Sequence, residues 1–221
     1  MKTVAVLIYA ERHDDLEEIY RREADSCPPD EYSFSFFFNP DLDEAWKEAG
    51  GDFDYYIWLH GAVTLTEGSL FSLLDNSSFL ADRAVIVGTV RDAKGRAVSG
   101  GFGWNKTILQ PDPVIPAPCR LLDGLVALIP ACVYRSIGIL GGRYRGQLAG
   151  FDYAIRAKKA GYPCVIAPGT VATCEVRPNP DRTVREEYVL DLRSKGFLRA
   201  TWALLRASFR HLIIKRMSLY E

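Results

Sequence analysis

The chain has 221 residues, a formal net charge of −1, and 48% hydrophobic and 25% charged residues. That length gives one large domain or one domain plus an appendage, with enough apolar material for a sizeable core. Near-neutral charge excludes a nucleic-acid binder that works through global positive charge.

The five cysteines, Cys27, Cys119, Cys132, Cys164 and Cys174, are widely spaced and include no CxxC pair. A zinc or redox motif of that kind is therefore excluded, and the cysteines read as small core residues in a reducing compartment. The N-terminal apolar run Val4–Ala10 is too short for the core and cleavage site of a signal peptide. No apolar run approaches the roughly eighteen residues of a membrane span. A cytoplasmic protein without a span is expected.

In chain order, Val4–Tyr9 is a continuous apolar run, the pattern of a strand buried on both faces. A charged helix is predicted over Asp14–Ala24, strands over Tyr32–Phe38 and Tyr55–His60, a short helix over Glu67–Leu74 and a strand over Ala84–Val90. This rhythm predicts a mainly parallel sheet covered by helices. Ligands of such sheets sit beyond the carboxyl ends of the strands, so the residues just after each strand carry the most information. Thr89–Pro118 reads as an irregular excursion with a polar turn at Arg91–Arg96, a glycine-rich run from Ser99 to Trp104, and an extended loop through Pro111, Pro113, Pro116 and Pro118. No helix follows the GGFG run, so it lacks the geometry of a phosphate-cradling loop.

The stretch Leu122–Gly169 organises the rest. It predicts a strand at Leu125–Ile129 ending in Pro130, a helix at Cys132–Ile139 stopped by Gly141–Gly142, a helix at Phe151–Lys159 closed by Gly161, and a strand at Cys164–Ala167. The run DGLVALIPACVYRSIGILGGRYRGQLAGFDYAIRAKKAGYPCVIAP resembles, without a gap, the C-terminal half of the catalytic domain of inverting family 2 glycosyltransferases, the rhamnosyltransferase-like branch especially. The IP step, several glycines and the D-x-x-x-RA-x-KAGY run agree together. The resemblance implies an α/β GT-A fold of the nucleotide-diphospho-sugar transferase kind over residues 1–180. That fold has a mixed, mainly parallel sheet flanked by helices. A C-terminal helical appendage over 181–221 follows.

The resemblance also implies roles. Tyr9 and Glu11 match a turn that lines the donor's nucleotide, although Ala10 departs from it; the alternative is a plain strand-to-helix turn. Asn39 or Asp41 stands where an acidic residue holds the uracil or thymine, and both are also common turn residues. Arg91 and Arg96 fall in a hairpin near donor or acceptor, and Asp123 in the loop that faces the acceptor. Arg143 and Arg145 join them as loop cations able to offset a diphosphate charge.

The acidic machinery departs from the family pattern. Where the family has FLNDDVVL, with carboxylates for Mg²⁺ or Mn²⁺, this chain has Trp58–Leu65, so Gly61 and Ala62 take the acidic positions. His60 offers one nitrogen, a poor choice for a hard cation. Glu175 is a single carboxylate further on, and no metal site is assigned. Where the family has GEDVD, whose first Asp is the general base, Gly150 takes the base position and only Asp152 is retained. Asp152 is thus the remaining base candidate; its other reading is a helix cap or an i,i+4 pair with Arg156.

The tail carries Leu198, Trp202, Leu205, Phe209, Leu212 and Ile213 on one helical stripe, with seven Lys or Arg residues and no acidic one between Arg193 and Met217. Two placements fit: packing on the domain or on a second subunit, or lying on an anionic membrane surface at the inner face of the membrane. The functional expectation is a sugar transferase acting from a nucleotide-sugar donor onto a glycan or lipid-linked acceptor. The alternative is a catalytically inactive relative that binds a sugar nucleotide, a glycan or a partner enzyme.

Overall fold

The computed structural model describes residues 1–10, 14–61, 63–103, 107–140 and 146–174. The chain divides into two compact units, Met1–Pro180 and Asp181–Glu221, and every described residue lies in the first. Glu11, Arg143, Arg145, Glu175 and the basic tail lie outside the described residues.

The described elements run β1 (Lys2–Tyr9), α1 (Asp14–Asp25), β2 (Tyr32–Phe38), α2 (Leu42–Ala49), β3 (Tyr55–His60), β4 (Thr64–Leu65), α3 (Ser69–Phe79), β5 (Val85–Val87), β6 (Val90–Asp92), β7 (Ala97–Ser99), β8 (Gly101–Phe102), β9 (Ala117–Cys119), β10 (Leu121–Leu122), β11 (Val126–Pro130), α4 (Ala131–Ile137), α5 (Gly146–Lys159), β12 (Cys164–Ile166) and β13 (Ala172–Cys174). The large sheet has the order β2-β1-β3-β11-β5-β12-β9. β2, β1 and β3 are parallel, β11 runs against both β3 and β5, β12 is parallel to β5, and β9 closes the edge antiparallel to β12. β1, β2, β3, β5 and β12 therefore all end on the same side. A smaller sheet, β4-β13-β6-β7, sits beside it.

The strand alternation explains the continuous apolar runs. Val4, Val6 and Ile8 pack with Tyr20 and Ala24 of α1 and Leu70, Leu73 and Leu74 of α3. Ala5 and Leu7 face the other way, with Trp46 of α2, Val133 of α4 and Tyr153, Ala154 and Ala157 of α5. Both faces of the central strands are covered, as a parallel sheet requires.

The helix expected over Glu67–Leu74 runs Ser69–Phe79, and the strand expected over Ala84–Val90 is divided into β5 and β6, which belong to different sheets. Three further departures bear on the site. Helix α2 was not expected. Asp41 Oδ1 accepts from the backbone N–H groups of Asp43 and Glu44, so Asp41 is its N-cap. Helix α4 ends earlier than expected, at Gly138, whose φ of 77° is the left-handed conformation glycine adopts without strain. Helix α5 starts at Gly146, five residues before the expected Phe151. Asp152 is thus interior to the helix and not its cap.

Among the described residues no helix is long and apolar enough to cross a membrane.

Candidate donor site

The ends of β1 and β3 meet the start of β11. Tyr9 pairs with His60 in the strand register, and their rings lie 5.4 Å apart. The His60 backbone N–H donates to Leu125 O at 2.9 Å, and the Gly61 N–H to Tyr9 O at 3.1 Å. On the other side of β1, the Asn39 N–H donates to Ile8 O at 3.1 Å, while Asn39 Oδ1 accepts from the Asp41 N–H. Tyr9, Asn39 and His60 therefore share one end of the sheet, with the Asp123–Gly124 loop beside them. Tyr9 is 37% exposed. Burial lowers the His60 pKa below its usual value, which favours the neutral imidazole.

Asp123 is the most perturbed carboxyl at this end. Ser99 Oγ donates to its Oδ1 at 2.6 Å, and the backbone N–H groups of Leu125 and Gly100 also donate to it. Burial outweighs these bonds and pushes the pKa up to about 7. Asp123 thus ties the β7 turn to the loop entering β11. The next residue, Gly124, has φ 82°, and a Cβ there would lie 3.5 Å from the Trp58 ring. Trp58 is 5% exposed, and its Nε1 has no hydrogen-bond partner among the described residues. This indole, set under the loop, is a site feature the sequence reading overlooked, because its apolar neighbours mark it only as a core residue.

The raised Asp123 pKa has a sign. A carboxyl that holds its proton more tightly when folded stabilises the fold fully below the unfolded value near 4. That stability is lost as pH rises through about 7. Relative to the parent, Asp123→Asn should therefore gain stability between pH 4.5 and pH 8, by about 3 kcal/mol. Urea unfolding of both chains at three pH values measures this, and a parallel pair of stability curves would contradict it.

The other candidates are committed to partners. Arg91 donates to Thr170 Oγ1, Gly95 O and Gln110 Oε1, and Arg96 pairs with Asp92. Asp152 Oδ2 accepts from Arg156 Nε at 2.8 Å; Arg156 also donates to Ile137 O and Ile139 O and lies over the Tyr153 ring. The Asp152–Arg156 pair thus fastens α5 to the end of α4, where a cation is favoured by the helix dipole.

Of the three positions where the resemblance calls for carboxylates, Gly61 and Gly150 are closed by packing, and Ala62 lies outside the described residues. A Cβ on Gly61 would lie 2.2 Å from Ala10 Cβ and 3.1 Å from Tyr9 O. A Cβ on Gly150 would lie 2.4 Å from Leu122 O and 2.8 Å from the Asp123 carbonyl carbon. Helix α5 presses its backbone directly on the loop that carries Asp123.

No protein family and no curated protein matches the chain. Among solved structures it is similar to that of GalNAc-T7 with UDP, GalNAc and Mn²⁺, with a TM-score of 0.54 and 12% identity over 87% of this chain. The chain has a GT-A-like glycosyltransferase fold. It spans about half of that structure's length, 48%.

The Mn²⁺ of that structure invites a test of fit. A hard divalent ion needs oxygen ligands with negative charge. Gly61 has no side chain and no room for one, and the described residues include no group of three or more His, Cys, Asp or Glu able to hold a metal. The described residues do not offer such an ion a ligand set.

Proposed function

We propose that this protein is a nucleotide-sugar-binding glycosyltransferase of the family 2 kind whose donor lies across the ends of β1 and β3. The observation that carries the proposal is the meeting of Tyr9, Asn39 and His60 with the Asp123–Gly124 loop at the carboxyl end of a GT-A-like sheet. In this reading Tyr9 and Asn39 line the nucleotide. Neutral His60 hydrogen-bonds the donor, and Asp123 and Gly124 face a glycan or lipid-linked acceptor. The donor diphosphate is held without a divalent metal, its charge offset by cationic side chains, for which Arg143 and Arg145 remain candidates.

A second reading has its own support. The closed Gly61 and Gly150 positions, and the engagement of Asp152 by Arg156, favour a relative that binds a sugar nucleotide without transferring the sugar. The fold serves both readings, because chemistry resides in the site.

A thermal-shift panel of UDP-, GDP- and dTDP-sugars, with and without Mn²⁺, tests donor binding. A donor at a hundred times its Kd should stabilise the fold by about 2.7 kcal/mol, equally with and without the metal. No response to any donor overturns both readings. Given a responding donor, release of free nucleotide on adding glycan or lipid acceptors separates transfer from binding alone.

A further inference from the structure

A rigid apolar tip projects from the Pro111–Pro116 loop. Val114 is 76% exposed and Ile115 65% exposed, among the most exposed large hydrophobic side chains described. The loop is pinned in place. Asp112 Oδ1 accepts from the backbone N–H groups of Val114 and Ile115 at 2.8 Å each, and Asp112 O accepts from the Gly169 N–H at 2.9 Å. Two aliphatic side chains are therefore held outward by a built turn between two prolines, and little further ordering is needed for them to enter an apolar phase.

The hairpin beside the tip carries a net positive charge. Gly169 and Thr170 follow β12, on the side of the sheet where β1 and β3 end. Gly169 anchors the tip, and its neighbour Thr170 anchors Arg91 of the β6–β7 hairpin, whose guanidinium also reaches Gln110 beside Pro111. The hairpin and the tip are thus fastened side by side. Together they carry Arg91, Lys94 and Arg96 against Asp92 and Asp112. Asp92 is paired with Arg96, and the Asp112 carboxylate is turned onto the loop's own N–H groups.

We propose that the Val114–Ile115 tip inserts into the interface of an anionic lipid bilayer, with the β6–β7 hairpin resting on the headgroups. An apolar protrusion with a cationic flank is complementary to such a surface, because apolar insertion and attraction to anionic lipid add. The insertion would hold the donor-site end of the sheet toward the membrane, where a lipid-linked acceptor resides. It does not depend on the donor reading, and the two can fail separately.

The test uses the full chain and vesicles of phosphatidylglycerol with phosphatidylcholine, compared with phosphatidylcholine alone. Sedimentation should show binding to the anionic vesicles, weakened at least tenfold, by an order-of-magnitude estimate, in Val114→Ser/Ile115→Ser. The basic tail could bind lipid unaided, so a local reporter is needed. In Ile115→Trp, the emission added over the parent should shift to the blue and be quenched by lipids with brominated chains. Three results would each overturn the proposal: no binding to anionic vesicles, equal binding by the serine variant, or unquenched Ile115→Trp emission on bound protein. Any of them would return the tip to contacts with protein.

Discussion

Gly150→Asp should unfold the chain or lower its Tm by roughly 10 °C, and should not create a general base. The physical reason lies in what faces the glycine. An added Cβ meets Leu122 O at 2.4 Å, the Asp123 carbonyl carbon at 2.8 Å and Gly124 N at 3.0 Å, and all three are backbone atoms. A flexible side-chain tip could swing aside, but backbone can give way only if α5 lifts off the loop. That movement would unpack Ala149, Tyr153 and Ala154 from Leu122 and Trp58. Gly150→Ala should cost nearly as much as Gly150→Asp, because the Cβ itself is the obstacle. Differential scanning calorimetry of the two variants checks this. A well-folded Gly150→Ala with a Tm within about 2 °C of the parent, less than 1 kcal/mol by the usual scaling, would show that the helix does not sit on the loop as described.

Gly61→Asp should be similarly costly, about 3 kcal/mol or more, and should confer no Mn²⁺ response. Here the obstacle is a side-chain methyl: Ala10 Cβ stands 2.2 Å from the added Cβ, with Tyr9 O at 3.1 Å. A second substitution can therefore relieve most of it. Ala10→Gly/Gly61→Asp should recover the greater part of the lost stability, less the roughly 0.5–1 kcal/mol that a glycine costs through chain entropy. Urea titration of the parent, both single variants and the double variant measures the coupling between the two positions. Additive effects would mean that Ala10 does not close the site. The pair also shows that Ala10 and Gly61 form one packing unit, although each departs from the family pattern at a different place along the chain.

Much of the architecture is legible in the sequence. The expected strands Tyr32–Phe38 and Tyr55–His60 are β2 and β3 to the residue, and Val4–Tyr9 lies within β1. Continuous apolar runs bounded by charge leave little choice in a sheet buried on both faces. Helix α2 escaped because Asn39, Pro40 and Asp41 were read as a turn and a donor contact. In the structure Asp41 caps a helix whose first turn holds Asp43 and Glu44, a start signal present in the sequence. The start of α5 escaped for a different reason. Its first turns include Gly146 and Gly150, poor helix formers at roughly 1 kcal/mol each relative to Ala, so local propensity argued against helix there. Tertiary contact prevailed, because only glycine lets α5 reach the Leu122–Gly124 backbone.

The composition and the apolar runs were enough to specify a layered α/β domain, because those signals repeat every two or four residues and need no knowledge of distant partners. They also located the candidate site, since ligands of such sheets gather at strand ends. Whether Gly61 and Gly150 were open gaps or filled ones was decided only by the packed chain. Ala10 meets Gly61 because β1 lies beside β3, and Leu122 meets Gly150 because α5 crosses the strand entry. Such contacts between distant residues depend on sheet register and helix docking, which no local pattern encodes.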